Sequence, residues 1–226
     1  MSLTELLAQN PIFTHFSAEE QEHIATRAVS RHYTKGEWIA YYGEIWPNFF
    51  IVEEGSVTAL KESVEGRSLI VVTLGPGDVL WGLAFFYDDT PMIVSLIADE
   101  PSTIHIWSKE DLVPILLKDG LMAWELARLM VTRMQRASDI VEELAFQPVT
   151  GRLARLLLSH FGEAVDDYVS RDLTLEEMAA RIGTTREMVC RQLYRFMDDG
   201  AIEINRTEFM ITNREVLEKL AAMAKK

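Results

Sequence analysis

The sequence predicts an α+β chain: short β-strands closing a sandwich or barrel, then a long helix, then a compact helical part. Three observations carry this. From Arg31 to Asp78, glycine-bearing turns punctuate short apolar runs at a spacing of roughly ten residues, the rhythm of an all-β sandwich or barrel. From Pro114 to Phe146, small and apolar residues recur in steps of three and four. Between Leu173 and Phe196, two short amphipathic segments flank Gly183. The expected partition is residues 1–113, 114–147 and 148–226.

Residues 2–10 form a short apolar-striped segment ending at Asn10-Pro11, and Ser17 with Glu20 three residues on starts a second short helix through a capping box. The β-region follows. Its turns are Lys35-Gly36-Glu37, Tyr42-Gly43-Glu44, Glu54-Gly55-Ser56, Glu65-Gly66-Arg67 and Gly75-Pro76-Gly77-Asp78; its runs include Phe49-Phe50-Ile51-Val52 and Leu69-Ile70-Val71-Val72. The long helix carries a 3.5-residue repeat through Ala127, Met130, Met134, Ala137, Val141 and Leu144, the signature of a coiled-coil seam. Pro148 marks a hinge after it.

The most informative stretch follows. Thr174 with Glu177 is a second capping-box pair, Gly183 supplies a tight turn, and Thr185 caps the next helix. Helix, glycine turn and helix read as helix-turn-helix. On the second helix Met188 or Val189, Gln192 or Leu193 and Phe196 fall on one side, and Arg186, Glu187, Cys190, Arg191 and Tyr194 on or near the other. Arginine places two donors on guanine O6 and N7, and a carboxylate accepts from cytosine N4. Arg186 and Arg191 are therefore expected on guanines and Glu187 on a cytosine. Thr174, Thr184, Thr185, Cys190, Tyr194, Arg195 and Arg206 are expected at phosphates or on the flanks, where contacts fix register without reading sequence.

The net charge of −13 weighs against nucleic acid until its distribution is considered. Residues 1–147 hold 10 Lys/Arg and 22 Asp/Glu, whereas residues 148–226 hold 12 and 13. Within 181–195 four arginines face one glutamate. Modest non-specific affinity is the expectation, since counterion release scales with the phosphates neutralised. A single cysteine excludes an internal disulfide and a multi-cysteine zinc or iron–sulfur site within one chain. No apolar run reaches the length of a membrane span, and the first residues lack a basic-then-apolar signal, so a cytoplasmic protein with no membrane partner is expected. No nucleophile–base pair, phosphate loop or paired-carboxylate arrangement suggests an enzyme.

Lys35-Gly36-Glu37, Phe50-Ile51-Val52-Glu53-Glu54-Gly55-Ser56-Val57 and Leu74-Gly75-Pro76-Gly77-Asp78 resemble the jelly roll of cyclic-nucleotide-binding domains. With the long helix and Arg186-Glu187-x-Val189-x-Arg191, nearly the whole chain resembles the CRP/FNR family of bacterial transcription regulators. The resemblance implies an N-terminal effector or sensor roll, a dimerisation helix and a C-terminal winged helix-turn-helix that binds double-stranded DNA. Gly200 to Ile204 and Phe209 to Ile211 would be the wing, with Arg206 near its tip. The resemblance further implies a homodimer, a palindrome with half-sites similar to TGTGA, and a contact with RNA polymerase.

The effector site departs from that pattern. Members that respond to cAMP carry Gly-Glu for the ribose and Arg-Ser for the cyclic phosphate; here Trp81-Gly82 and Met92-Ile93 stand at those positions, and Ala137-Ser138 replaces the adenine-facing Thr-Ser. The phosphate loses its bidentate cation, which argues against cAMP. The FNR branch's iron–sulfur cluster is excluded because its N-terminal cysteines are absent. The aromatic-rich roll either simply fills a core or pockets an apolar or planar effector at Trp81, Gly82, Phe85, Met92, Ile93, Ala137 and Ser138. Haem is the sharpest version of the second reading, with His15, His23, His32, His105 and His160 as ligand candidates. Cys190 is read as a small helix residue beside DNA, or alternatively as a redox-sensing thiol. Two rivals belong to other classes: a metal-dependent jelly-roll enzyme, for which no His-x-His pair is present, and a ligand-sensing module acting through protein partners.

Overall fold

The computed structural model describes residues 2–162 and 167–223. They divide into two compact units, Met1–Lys61 with Val71–Arg136, and Glu62–Ile70 with Ala137–Lys226.

The chain opens with helices α1 (Leu3–Gln9) and α2 (Ala18–Thr26). The capping box expected at Ser17 and Glu20 is present, and Ser2 with Glu5 forms another. In both boxes the backbone and side chain of the serine hold the glutamate below its ordinary pKa. Eight strands follow: β1 (Val29–Tyr33), β2 (Trp38–Ala40), β3 (Asn48–Glu54), β4 (Val57–Glu62), β5 (Ser68–Leu74), β6 (Val79–Trp81), β7 (Ser95–Ala98) and β8 (Ser102–Ser108). They form two four-stranded sheets, ordered β1-β8-β3-β6 and β2-β7-β4-β5, the jelly roll that the sequence led us to expect.

The unbroken apolar run in β3 has a simple cause. Successive side chains point to opposite faces, and both faces are buried. Phe49 and Ile51 pack with Phe13, Phe85, Trp107, Met122 and Leu126, beneath the N-terminal helices. Phe50 and Val52 pack into the roll's interior with Val57, Leu74, Met92, Leu96 and Ile104. Trp107 is fully buried, and its indole nitrogen donates to the Ile24 carbonyl at 2.8 Å, so its polar edge is satisfied.

The single helix expected from Pro114 to Phe146 is two helices, α3 (Lys109–Leu116) and α4 (Gly120–Phe146). Asp119 makes the break: its carboxylate accepts from the Met122 amide at 2.7 Å, starting α4 afresh, and lies 2.8 Å from Nε2 of His15. Pro114 sits inside α3, not at the start of the long helix. Along α4, Met122 and Leu126 are buried, while Trp124, Val131, Met134 and Val141 are exposed. With Ala127, Met130 and Ala137 the exposed residues make a stripe wider than the expected seam. Leu144 departs from it, lying where its side chain would meet a Cβ at Gly183.

The remaining elements are α5 (Val149–Phe161), β9 (Val169–Ser170), α6 (Leu175–Ile182), α7 (Arg186–Asp198), β10 (Ile202–Ile204), β11 (Glu208–Ile211) and α8 (Arg214–Ala221). The wing is three-stranded, ordered β10-β11-β9, with β9 the strand that the sequence did not disclose. One core joins Leu153, Leu157, Phe161, Met178, Val189, Leu193, Phe196, Phe209 and Leu217. Arg152 is buried within this unit. Its Nε donates to the Ile182 carbonyl at 2.9 Å, and its Nη1 to the carbonyls of Gln147 at 2.7 Å and Glu143 at 3.3 Å. The chain does turn at Pro148, which caps α5, but Arg152 braces that junction from both sides.

Candidate nucleic-acid interface

The two helices of the motif are set by their ends. Thr174 accepts from the Glu177 amide at 3.1 Å, and Glu177 returns to the Thr174 amide at 2.7 Å, so α6 has a complete capping box. Gly183 then takes φ 63°, a left-handed conformation that other residues resist, and the chain reverses. Thr185 caps α7 by accepting from the Met188 amide at 3.3 Å. The hydroxyls of Thr174 and Thr185, expected at phosphates, are thus already engaged in holding helix ends.

Burial fixes which side of α7 is available. Val189, Gln192, Leu193 and Phe196 face the core, and the buried Gln192 accepts from the Thr150 hydroxyl at 2.8 Å. Arg186, Glu187, Arg191, Tyr194 and Arg195 are exposed, and Cys190 is half-buried. Arg186, Glu187, Cys190, Arg191, Tyr194 and Arg195 line one concavity of about 620 Å³, together with Leu175. Arg206 joins Cys190 and Tyr194 in an adjoining hollow of about 440 Å³. Thr184 lies apart from both, lining a separate concavity with Thr185, Arg186 and Glu187.

Three charged residues of this face, Arg186, Arg191 and Glu187, have partners within the protein. Nε of Arg186 lies 2.9 Å from Oε1 of Glu176. Nη2 of Arg191 lies 2.9 Å from the Met188 sulfur. Glu187 turns back on the start of its own helix, where its own backbone amide and the Thr185 hydroxyl hold its carboxyl below the ordinary pKa. Sequence reasoning missed Glu176, Leu175 and Arg171. Arg171 donates to the carbonyls of Leu173 (3.2 Å) and Asn205 (3.3 Å), tying the wing's tip to the chain that leads into α6. Its signal was weak, because a lone arginine before a helix resembles any solvated charge. The side chain of Asn205 accepts from the amides of Thr207 and Glu208, shaping the turn that presents Arg206.

The residues expected to line an effector pocket are placed differently. Phe85 and Trp81 pack on Phe49, at ring-centroid distances of 5.7 and 6.0 Å, and Met92 is buried in the roll's other core. These three are consumed by packing. Gly82 is explained by close approach, since a Cβ there would sit 1.8 Å from the Trp46 carbonyl oxygen. Ile93, Ala137 and Ser138 are exposed. Of the candidate haem ligands, His15, His105 and His160 face Asp119, Glu53 and Asp172 at 2.7–2.8 Å, and His32 faces the Thr103 hydroxyl at 3.0 Å. Among the described residues no group of three or more His, Cys, Asp or Glu is arranged to hold a metal ion, and no helix is long and apolar enough to cross a membrane.

Residues 151–220 match a Crp-like helix-turn-helix domain, and residues 30–119 match a cyclic nucleotide-binding domain. The chain is 25% identical over 212 residues to the cyclic AMP receptor protein of Thermus thermophilus, covering 94% of this chain and 97% of that one. It is 26% identical over 233 residues to a CRP-like cAMP-activated global transcriptional regulator of Mycobacterium tuberculosis, covering 97% and 100%. In fold it is similar to a transcriptional regulator of the Crp/Fnr family from Eubacterium rectale, with a TM-score of 0.79 at 21% identity over 94% of this chain and 98% of that one.

Proposed function

Because the chain belongs to the CRP/FNR family of transcription regulators, we propose that it acts as a homodimer on a palindromic DNA site with TGTGA-like half-sites. The observation that carries this reading is the convergence of Arg186, Glu187, Arg191, Tyr194 and Arg195 on one exposed concavity of α7. Arg186 and Arg191 read guanines, and Glu187 accepts from a cytosine. Tyr194, Arg195 and the wing's Arg206 supply backbone contacts that fix register. The exposed stripe of α4 is the face that a second copy covers, and two-fold symmetry then sets the half-sites about one helical turn, ~34 Å, apart. The protein is a regulator, not an enzyme, and RNA polymerase is its further partner. Residues 1–113 serve as the sensing part, 114–147 as the dimerising helix and 148–226 as the DNA-binding part.

Response to cAMP belongs to the relatives named above; the positions that would hold the phosphate carry a buried Met92 and an exposed Ile93 instead. A specific observation favours an effector of another kind. Nη2 of Arg133 donates to the Val79 carbonyl at 2.9 Å, while its Nη1 is buried with no hydrogen-bond partner among the described residues. Burial lowers the pKa of this guanidinium, with the Asp78 charge opposing, and the free Nη1 suits one acceptor on a small ligand.

The test is a titration on a TGTGA-like palindrome against a scrambled duplex, at one stated salt concentration, with and without cAMP. Preference for the palindrome of about 10³-fold or more, unchanged by cAMP, is expected. Equal affinity for both duplexes in every condition would reject the reading.

A further inference from the structure

We infer that Glu176 is a specificity-determining residue: it holds Arg186 in the orientation that reads a guanine, and it discourages the same arginine from settling on phosphate. The inference rests on the reading of Arg186 given above.

Glu176 occupies the second position of α6, next to the helix cap, yet it does no capping. That task belongs wholly to Glu177, whose carboxylate reaches the amide and hydroxyl of Thr174 at 2.7 and 2.8 Å. The Glu176 carboxylate instead lies on Nε of Arg186, the first residue of α7, at 2.9 Å. Both side chains are about two-thirds exposed, so the pair adds little to stability and its consequence is positional. Contact at Nε engages the side of the planar guanidinium and leaves its end, with two Nη groups side by side, to face a base edge. An untethered arginine on an exposed helix start would sample many rotamers and meet the nearest phosphate at least as readily as a base.

The carboxylate has a second effect. Standing beside Arg186 on a face that approaches DNA, it cancels one positive charge in the sequence-independent part of binding. One glutamate therefore trades overall affinity for discrimination. Of the α6 residues, the apolar Leu175 lines the concavity of α7, whereas Glu176 lines the neighbouring one with Thr184, Thr185, Arg186 and Glu187 and reaches the reading face through Arg186, which borders both.

The experiment compares wild type, Glu176→Gln, Arg186→Ala and the double variant on three duplexes: the selected palindrome, the same palindrome changed at the guanine assigned to Arg186, and a scrambled sequence. Glu176→Gln is expected to bind the scrambled duplex several-fold more tightly, with a salt dependence steeper by up to about one phosphate's worth. Its preference for the guanine is expected to fall about five-fold or more, with Glu176→Asp in between. In the Arg186→Ala background the glutamine should still tighten scrambled binding but leave guanine preference untouched. If wild type shows a guanine preference that Arg186→Ala removes and Glu176→Gln preserves, the role of Glu176 is overturned while the reading of Arg186 stands. If Arg186→Ala itself leaves the preference intact, the reading of Arg186 falls and the inference with it. Unchanged thermal unfolding of Glu176→Gln verifies that the fold is not the variable.

Discussion

Arg191 and Glu187 line the same concavity but start from different partners within the protein. Arg191 rests against the Met188 sulfur, a weak acceptor that is easily exchanged for a guanine. Arg191→Ala should cost about 1–3 kcal/mol on the intact half-site and lose preference at one base position only, read by titration against single-base variants. Equal loss on every duplex would assign Arg191 to phosphate. Glu187 starts as a carboxylate held by its own amide and Thr185, with its pKa depressed. A depressed value means that the charged form persists as pH falls, until the pH passes below the ordinary glutamate range. Preference for cytosine at its position should therefore be constant from neutral pH to about pH 5. A decline already at pH 6 would show that Glu187 is not the acceptor.

At the scale of elements, the caps and turns were the most legible part of the sequence. Ser17 with Glu20 and Thr174 with Glu177 sit at fixed spacing and act through local hydrogen bonds, so reading them needs no tertiary knowledge. Thr174→Ala should lower unfolding stability by about 0.5–2 kcal/mol in a denaturant titration. What escaped notice depends on long-range partners. The break between α3 and α4 is made by Asp119, an ordinary acidic residue until its amide and histidine partners are in place. Strand β9 is two residues long and exists only because β11 pairs with it. Glu176 looked like part of a solvated acidic start to α6, and only the turn at Gly183 brings it to Arg186. Arg152 was equally hidden, since its three acceptors are backbone carbonyls from three places in the chain. Burial lowers the pKa of its guanidinium, with Glu143 opposing. Arg152→Met removes the side-chain donor to the Ile182 and Gln147 carbonyls, while that of Glu143 keeps the Gln147 amide at 3.1 Å, and should cost about 2 kcal/mol or more in the same titration.

For the whole molecule, the proposed function requires two copies. A single recognition helix contacts one half-site, and the affinity of a palindrome comes from coupling two such contacts through one rigid partner. The exposed apolar residues of α4, among them Trp124, Met130, Val131, Met134 and Val141, offer a surface for that coupling. Met134→Glu places a charge in that seam. It should shift the protein toward monomer in sedimentation and weaken palindrome binding about a hundred-fold or more, while affinity for a lone half-site stays near that of wild type. The fold class and the exposed side of α7 could be inferred from residues alone because periodicity, glycines and caps agree there. The effector site could not, because the same aromatic side chains serve a packed core and a ligand pocket alike. Trp81, Phe85 and Met92 turn out to be core.

The brace at Arg152 has a mechanical consequence. It fastens the last turn of α4, through Glu143 and Gln147, to the end of α6 at Ile182. That end is one residue before the turn that aims α7. The C-terminal end of α4 is therefore placed like the shaft of a key with α7 as its bit, so that a rotation of the shaft is expected to carry the bit with it. Because each residue of a helix advances about 100°, adding or removing a single residue late in α4 would turn the bit far from its lock while every contact inside the bit stayed intact.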